Sequence, residues 1–73
     1  MICYLRLEND TLEDAQRCSS LKEAIRDFKA IADDLARFGQ EIDASVYFGE
    51  DPIEYPDRYL TLGPRGGVQI HQV

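Results

Sequence analysis

Seventy-three residues make one small domain, near the lower limit for folding alone. A hydrophobic share of 44% excludes a disordered chain, and no run is long enough to cross a membrane as a helix. Fourteen acids against eight bases leave a net charge of −6, a poor basis for gripping phosphates directly.

Residues 2–8 alternate, with Cys3, Leu5 and Leu7 on one side and Ile2, Tyr4, Arg6 and Glu8 on the other. That pattern is a half-buried strand with its leucines toward the core. Asn9-Asp10 reads as a turn. Residues 13–18 fit either a short second strand or an irregular approach to a helix.

The helix follows, over roughly residues 20–38. Leu21, Ile25, Phe28, Ile31 with Ala32, Leu35 and Phe38 recur at steps of three and four, giving one apolar stripe. Ser20 with Glu23 is a capping-box pattern, and Gly39 sits where a left-handed closing residue is needed. Lys29 to Asp33 and Asp33 to Arg37 are i,i+4 pairs on the wet face.

Alternation then resumes with Ile42, Ala44, Val46 and Phe48 on one face and Asp43, Ser45 and Tyr47 on the other. Residues 49–57 are too polar and proline-broken for a strand. Residues 58–62 predict a strand with Leu60 and Leu62 inward. Residues 68–73 predict another with Val68 and Ile70 inward. The expected fold is α+β, a two-layer sandwich of one amphipathic helix on a mainly antiparallel sheet of four or five short strands, order β(β)αβββ, across residues 1–73.

Little in the chain suggests catalysis. Between the last two strands, Gly63-Pro64-Arg65-Gly66-Gly67 has the glycines of a phosphate loop, but an alternating strand follows where a helix would be required. It reads as a hairpin corner holding Arg65 at its tip. His71 lacks a partner set, and paired acids such as Asp33-Asp34 do not converge on a helix. A domain this small has little room for a ligand pocket. No catalytic residue, cofactor or metal is therefore assigned. Cys3 and Cys18 are too few for a disulfide scaffold, and reduced, half-buried thiols are expected over a single bridge. The expected setting is soluble and cytoplasmic.

Two surfaces remain as candidates. If the helix covers the Leu5, Leu7, Val46, Leu60 and Ile70 side, then Ile2, Tyr4, Tyr47, Tyr59 and Val73 lie on the open side. Tyrosines there could serve a partner or a twin. The second surface is acidic. Four acids balance four bases between Lys22 and Arg37, but elsewhere ten acids face four bases. Those ten fall in two stretches free of Lys and Arg: Glu8, Asp10, Glu13 and Asp14, then Glu41, Asp43, Glu50, Asp51, Glu54 and Asp57. The second group, on one strand and the loop after it, is the candidate contact for a basic protein. Carboxylates there could occupy a cationic groove in place of phosphates.

In size, charge, layout and lack of catalytic residues, with segments such as LARFGQEIDA and YLTLGPRGG, the chain resembles the small acidic proteins of phages and mobile elements, among them anti-CRISPR inhibitors. The resemblance implies an inhibitor that binds a nucleic-acid-binding defence protein, such as a CRISPR effector or surveillance complex, and blocks its nucleic-acid site. It carries over no site residues. The alternative is a homodimeric structural or regulatory module that buries the Tyr4, Tyr47 and Tyr59 face. Neither reading calls for direct binding to nucleic acid or membrane.

Overall fold

The structure, a computed structural model, describes residues 2–50 and 55–73. Strand β1 (Cys3–Leu7) leads through one turn of 3₁₀ helix (Leu12–Asp14) into β2 (Gln16–Cys18), then helix α1 (Leu21–Ala36), β3 (Ala44–Phe48), β4 (Arg58–Leu62) and β5 (Val68–Gln72). All pairings are antiparallel, in the spatial order β2-β1-β3-β4-β5. The fold is the expected α+β sandwich, and residues 16–18 resolve the open choice in favour of a strand.

Helix α1 begins at Ser20, whose hydroxyl accepts the Glu23 N–H at 3.2 Å. The reciprocal half of the capping box is replaced, because the Glu23 carboxylate takes the neighbouring Ser19 hydroxyl instead. At the other end Gly39 has φ +72°, and the N–H groups of Gly39 and Gln40 close on the carbonyls of Ala36 and Leu35. This closure satisfies carbonyls that the helix itself leaves open. On the wet face Lys29 bonds Asp33 at 2.6 Å, so Arg37 turns to Asp34 at 3.7 Å rather than to Asp33.

The centre of the buried stripe is Ala24, Phe28 and Ala32, an i,i+4,i+8 line. Two small residues flanking one large ring let the helix approach the sheet closely, while Leu21 and Ile25 pack at the margin. Phe38, expected to extend the stripe, is 79% exposed, because the chain turns away just beyond it at Gly39.

Against this stripe the sheet presents Cys3, Leu5, Cys18, Ala44, Val46 and Leu60, all buried. Helix α1 lies mainly over β1 to β4, and β5 stands beyond it. That position explains a second difference. Ile70 shares the helix-side face with Leu60, its cross-strand partner, yet is 48% exposed.

Candidate functional site

Strand direction sorts the acidic residues differently from sequence proximity. Strand β3 starts at Ala44, beside Leu7 at the end of β1, and finishes at Phe48, beside Cys3. Glu41 and Asp43 therefore sit at one end of the sheet, while Glu50 and Asp57 sit at the other. The single group expected from sequence is split by the length of a five-residue strand, about 16 Å. Asp51 and Glu54 lie outside the described residues. Asp57 has a structural task, since its carboxylate accepts the Phe48 N–H at 2.8 Å and its own N–H bonds the Val46 carbonyl at 2.8 Å.

Glu41 and Asp43 acquire new neighbours in exchange. The β1–β2 connection leaves from the Leu7 end and carries Glu8, Asp10, Glu13 and Asp14. Glu8 and Asp43 are linked directly, with Glu8 N–H donating to the Asp43 carbonyl at 2.9 Å. The two stretches, which β2 and α1 separate in sequence, lie at one end of the sheet and touch through Glu8 and Asp43. The last turn of α1 ends here too, adding the partial negative charge of its carbonyls.

A groove of about 500 Å³ opens at this end between α1 and the β4–β5 hairpin. Ala32, Ala36, Ile42 and Leu62 supply an apolar lining, and Asp33, Glu41 and Asp43 stand around it. This volume exceeds what was expected of so small a domain and lies within the usual range for ligand clefts. An apolar floor under carboxylates suits a Lys or Arg side chain, whose aliphatic stem lies on the floor while its head reaches the acids.

The hairpin forms the opposite lip. Gly63-Pro64-Arg65-Gly66 is a β-turn, with the Gly66 N–H bonding the Gly63 carbonyl at 3.0 Å and Pro64 at the position where its fixed φ is favoured. Gly66 has φ +83°, so the corner needs glycine there. Arg65 is exposed at the tip, at the same end as the acids.

The outer sheet face carries Tyr4 and Arg6 on β1, Arg17 on β2, Ser45 and Tyr47 on β3, Tyr59 and Thr61 on β4, and Gln69 and His71 on β5. Tyr47 was expected to lie open and is instead only 1% exposed. Arg6 lies against its ring, 6.0 Å from the centroid, and donates from Nε to the Tyr47 hydroxyl at 2.9 Å. The same guanidinium bonds the Asp10 carbonyl at 2.9 Å and so fastens the acidic connection to the face. Tyr47 is thus a packed residue, not a contact surface. Tyr59 remains 42% exposed, and Tyr4 is partly exposed. None of these strand residues is acidic, which makes the face the converse of the acidic end.

Cys3 and Cys18 are directly opposed across β1 and β2, fully buried rather than half-buried, and both are free thiols. The N–H groups of Glu8 and Gly49 bond across the β1–β3 seam, which turns the Cys3 backbone toward β2. In such a hydrogen-bonded pair the Cβ atoms stand about 5.5 Å apart, wider than the ~3.5–4.5 Å of a relaxed disulfide. Burial pushes both thiols up, Cys18 to about 11, with Cys3 and the carboxylates of Asp27 and Glu23 adding to the effect there. Donor atoms of Cys18, Glu23 and Asp27 lie within 4.8 Å of one another. The two carboxylates already accept hydrogen bonds from Ser19 and Gln16.

Comparisons with protein-family models, with curated proteins and with solved structures returned no match.

Proposed function

We propose that this protein is a non-enzymatic acidic interaction domain that docks a basic protein through the groove and carboxylates at the α1 C-terminal end of the sheet. The observation that carries this reading is that Glu41 and Asp43 border a partly apolar groove at the end of the sheet where Glu8 bonds Asp43 and the acidic β1–β2 connection begins. Clustered carboxylates speed encounter with a cationic surface and fix its orientation, while the groove supplies desolvated contact area. In its most specific form the partner is a nucleic-acid-binding defence protein of the CRISPR effector or surveillance type. The acidic end would then occupy a cationic channel where phosphates would otherwise lie.

The face-to-face twin is the weaker reading. It would press Arg6 and Arg17 of two copies together with no strand carboxylate on that face to receive them.

The test is capture from nuclease-treated host extract on the immobilised chain, with the retained proteins identified by mass spectrometry. The reading expects a basic, nucleic-acid-binding protein that is released by salt. Retention should be lost with E13K/E41K/D43K and weakened by A36F, which fills the groove from an exposed helix position. Equal retention by wild type and the triple variant contradicts the proposal.

A further inference from the structure

We infer that the outer edge of β5, unpaired among the described residues, is a self-association site, at which a second copy of this chain pairs antiparallel about a two-fold axis through Ile70. The inference is independent of the acidic end.

The hydrogen-bonding phase of β5 follows from its hairpin. The Gly63 N–H bonds the Gly67 carbonyl at 2.7 Å, so that pair faces inward across the β4–β5 seam. Antiparallel ladders alternate residue by residue. Gln69 and His71 therefore spend their backbone groups on β4, and Val68, Ile70 and Gln72 direct theirs to the outer edge. This set is symmetric about Ile70. Antiparallel pairing with a second copy matches Ile70 to Ile70, and Val68 to Gln72 in both directions. All six outward N–H and C=O groups are then satisfied.

The side chains agree with this register. Because β5 lies beyond the helix, Ile70 is 48% exposed on the inner face, and pairing would bring the two Ile70 side chains together. On the outer face Gln69 of each copy would stand opposite His71 of the other.

Charge also favours this edge. Val68–Gln72 contains no Asp, Glu, Lys or Arg in a chain of net charge −6. An antiparallel pair sends the two acidic ends to opposite extremes of the joined ten-stranded sheet, where their repulsion is smallest. Natural edges are usually guarded by shortness, charge, proline or a bulge. The opposite edge, β2, is guarded: it has three residues and carries exposed Arg17. Strand β5 has five residues and none of these devices. A single edge pairing is small beside the ~1,200–2,000 Å² of stable interfaces, so the dimer is reversible and concentration-dependent.

The experiment combines sedimentation with amide hydrogen exchange on the full chain over a wide range of concentration. The expected result is a mass rising toward twice 8.3 kDa. Protection should rise at the Val68, Ile70 and Gln72 amides and stay constant at Gln69 and His71. Ile70→Pro removes only an outward N–H and should give a folded monomer. Should that variant unfold, Ile70→Lys sets like charges across the two-fold and should abolish the dimer. A monomer at every concentration overturns the inference. So does a dimer whose new protection maps elsewhere, or one that survives Ile70→Lys.

Discussion

At the residue scale, Cys18 has a measurable consequence. Its pKa is raised from 9.0 to about 11, chiefly by burial, so the fold favours the neutral thiol. A raised pKa gives stability that is fully present below pH 9 and is lost as pH climbs through about 11. At ~1.36 kcal/mol per pH unit the loss is on the order of 3 kcal/mol, comparable to the whole stability of so small a domain. Urea midpoints measured across this alkaline range should fall for the wild type. They should fall less for Cys18→Ala, and an identical fall in both would contradict this account. Tyr47 shows what single residues conceal in sequence. Alternation assigns it correctly to the outer face, but its burial depends on Arg6, forty-one positions away, reaching over the ring. A pattern of period two cannot report such a cover.

At the element scale, most of the secondary structure was legible because it is written locally. Ser20, the apolar stripe and Gly39 bound the helix, and alternation marks β1, β3 and β4. Of the deepest helix line, Phe28 and Ala32 lie in the stripe read from sequence, and only Ala24 was missed. Small residues carry little apolar weight in a sequence reading, yet they mark the closest approach to the sheet. The β4–β5 corner divides two neighbouring glycines. Gly66, at φ +83°, should lose roughly 1–2 kcal/mol on replacement by Ala, although nothing crowds the new methyl group. Gly67 has neither a positive φ nor a neighbour within 4 Å of the added carbon, so Gly67→Ala should stay within about 0.5 kcal/mol of wild type. Thermal unfolding of the two variants separates these outcomes, and equal losses would contradict the assigned turn.

At the scale of the whole molecule, topology decides which charges meet. In sequence Glu41 and Asp43 belong with Glu50 and Asp57. In space they belong with Glu8, Asp10, Glu13 and Asp14, because β1 ends where β3 begins. No local signal announces that β1 and β3 are neighbours, since β2 and α1 intervene. The acidic end was therefore legible as composition but not as a place. Its groove needed the packed positions of α1 and the hairpin. The molecule that results separates an acidic end from an outer sheet face whose strands carry no acid. The direct measurement is the affinity of a captured basic partner for two charge-reversed variants over a series of salt concentrations. E13K/E41K/D43K reverses the acidic end, and Glu50→Lys reverses a charge at the opposite end. The account predicts that the first variant loses affinity by at least an order of magnitude and flattens the salt dependence, while Glu50→Lys binds as wild type does. The opposite pattern, or equal effects of the two, would contradict it.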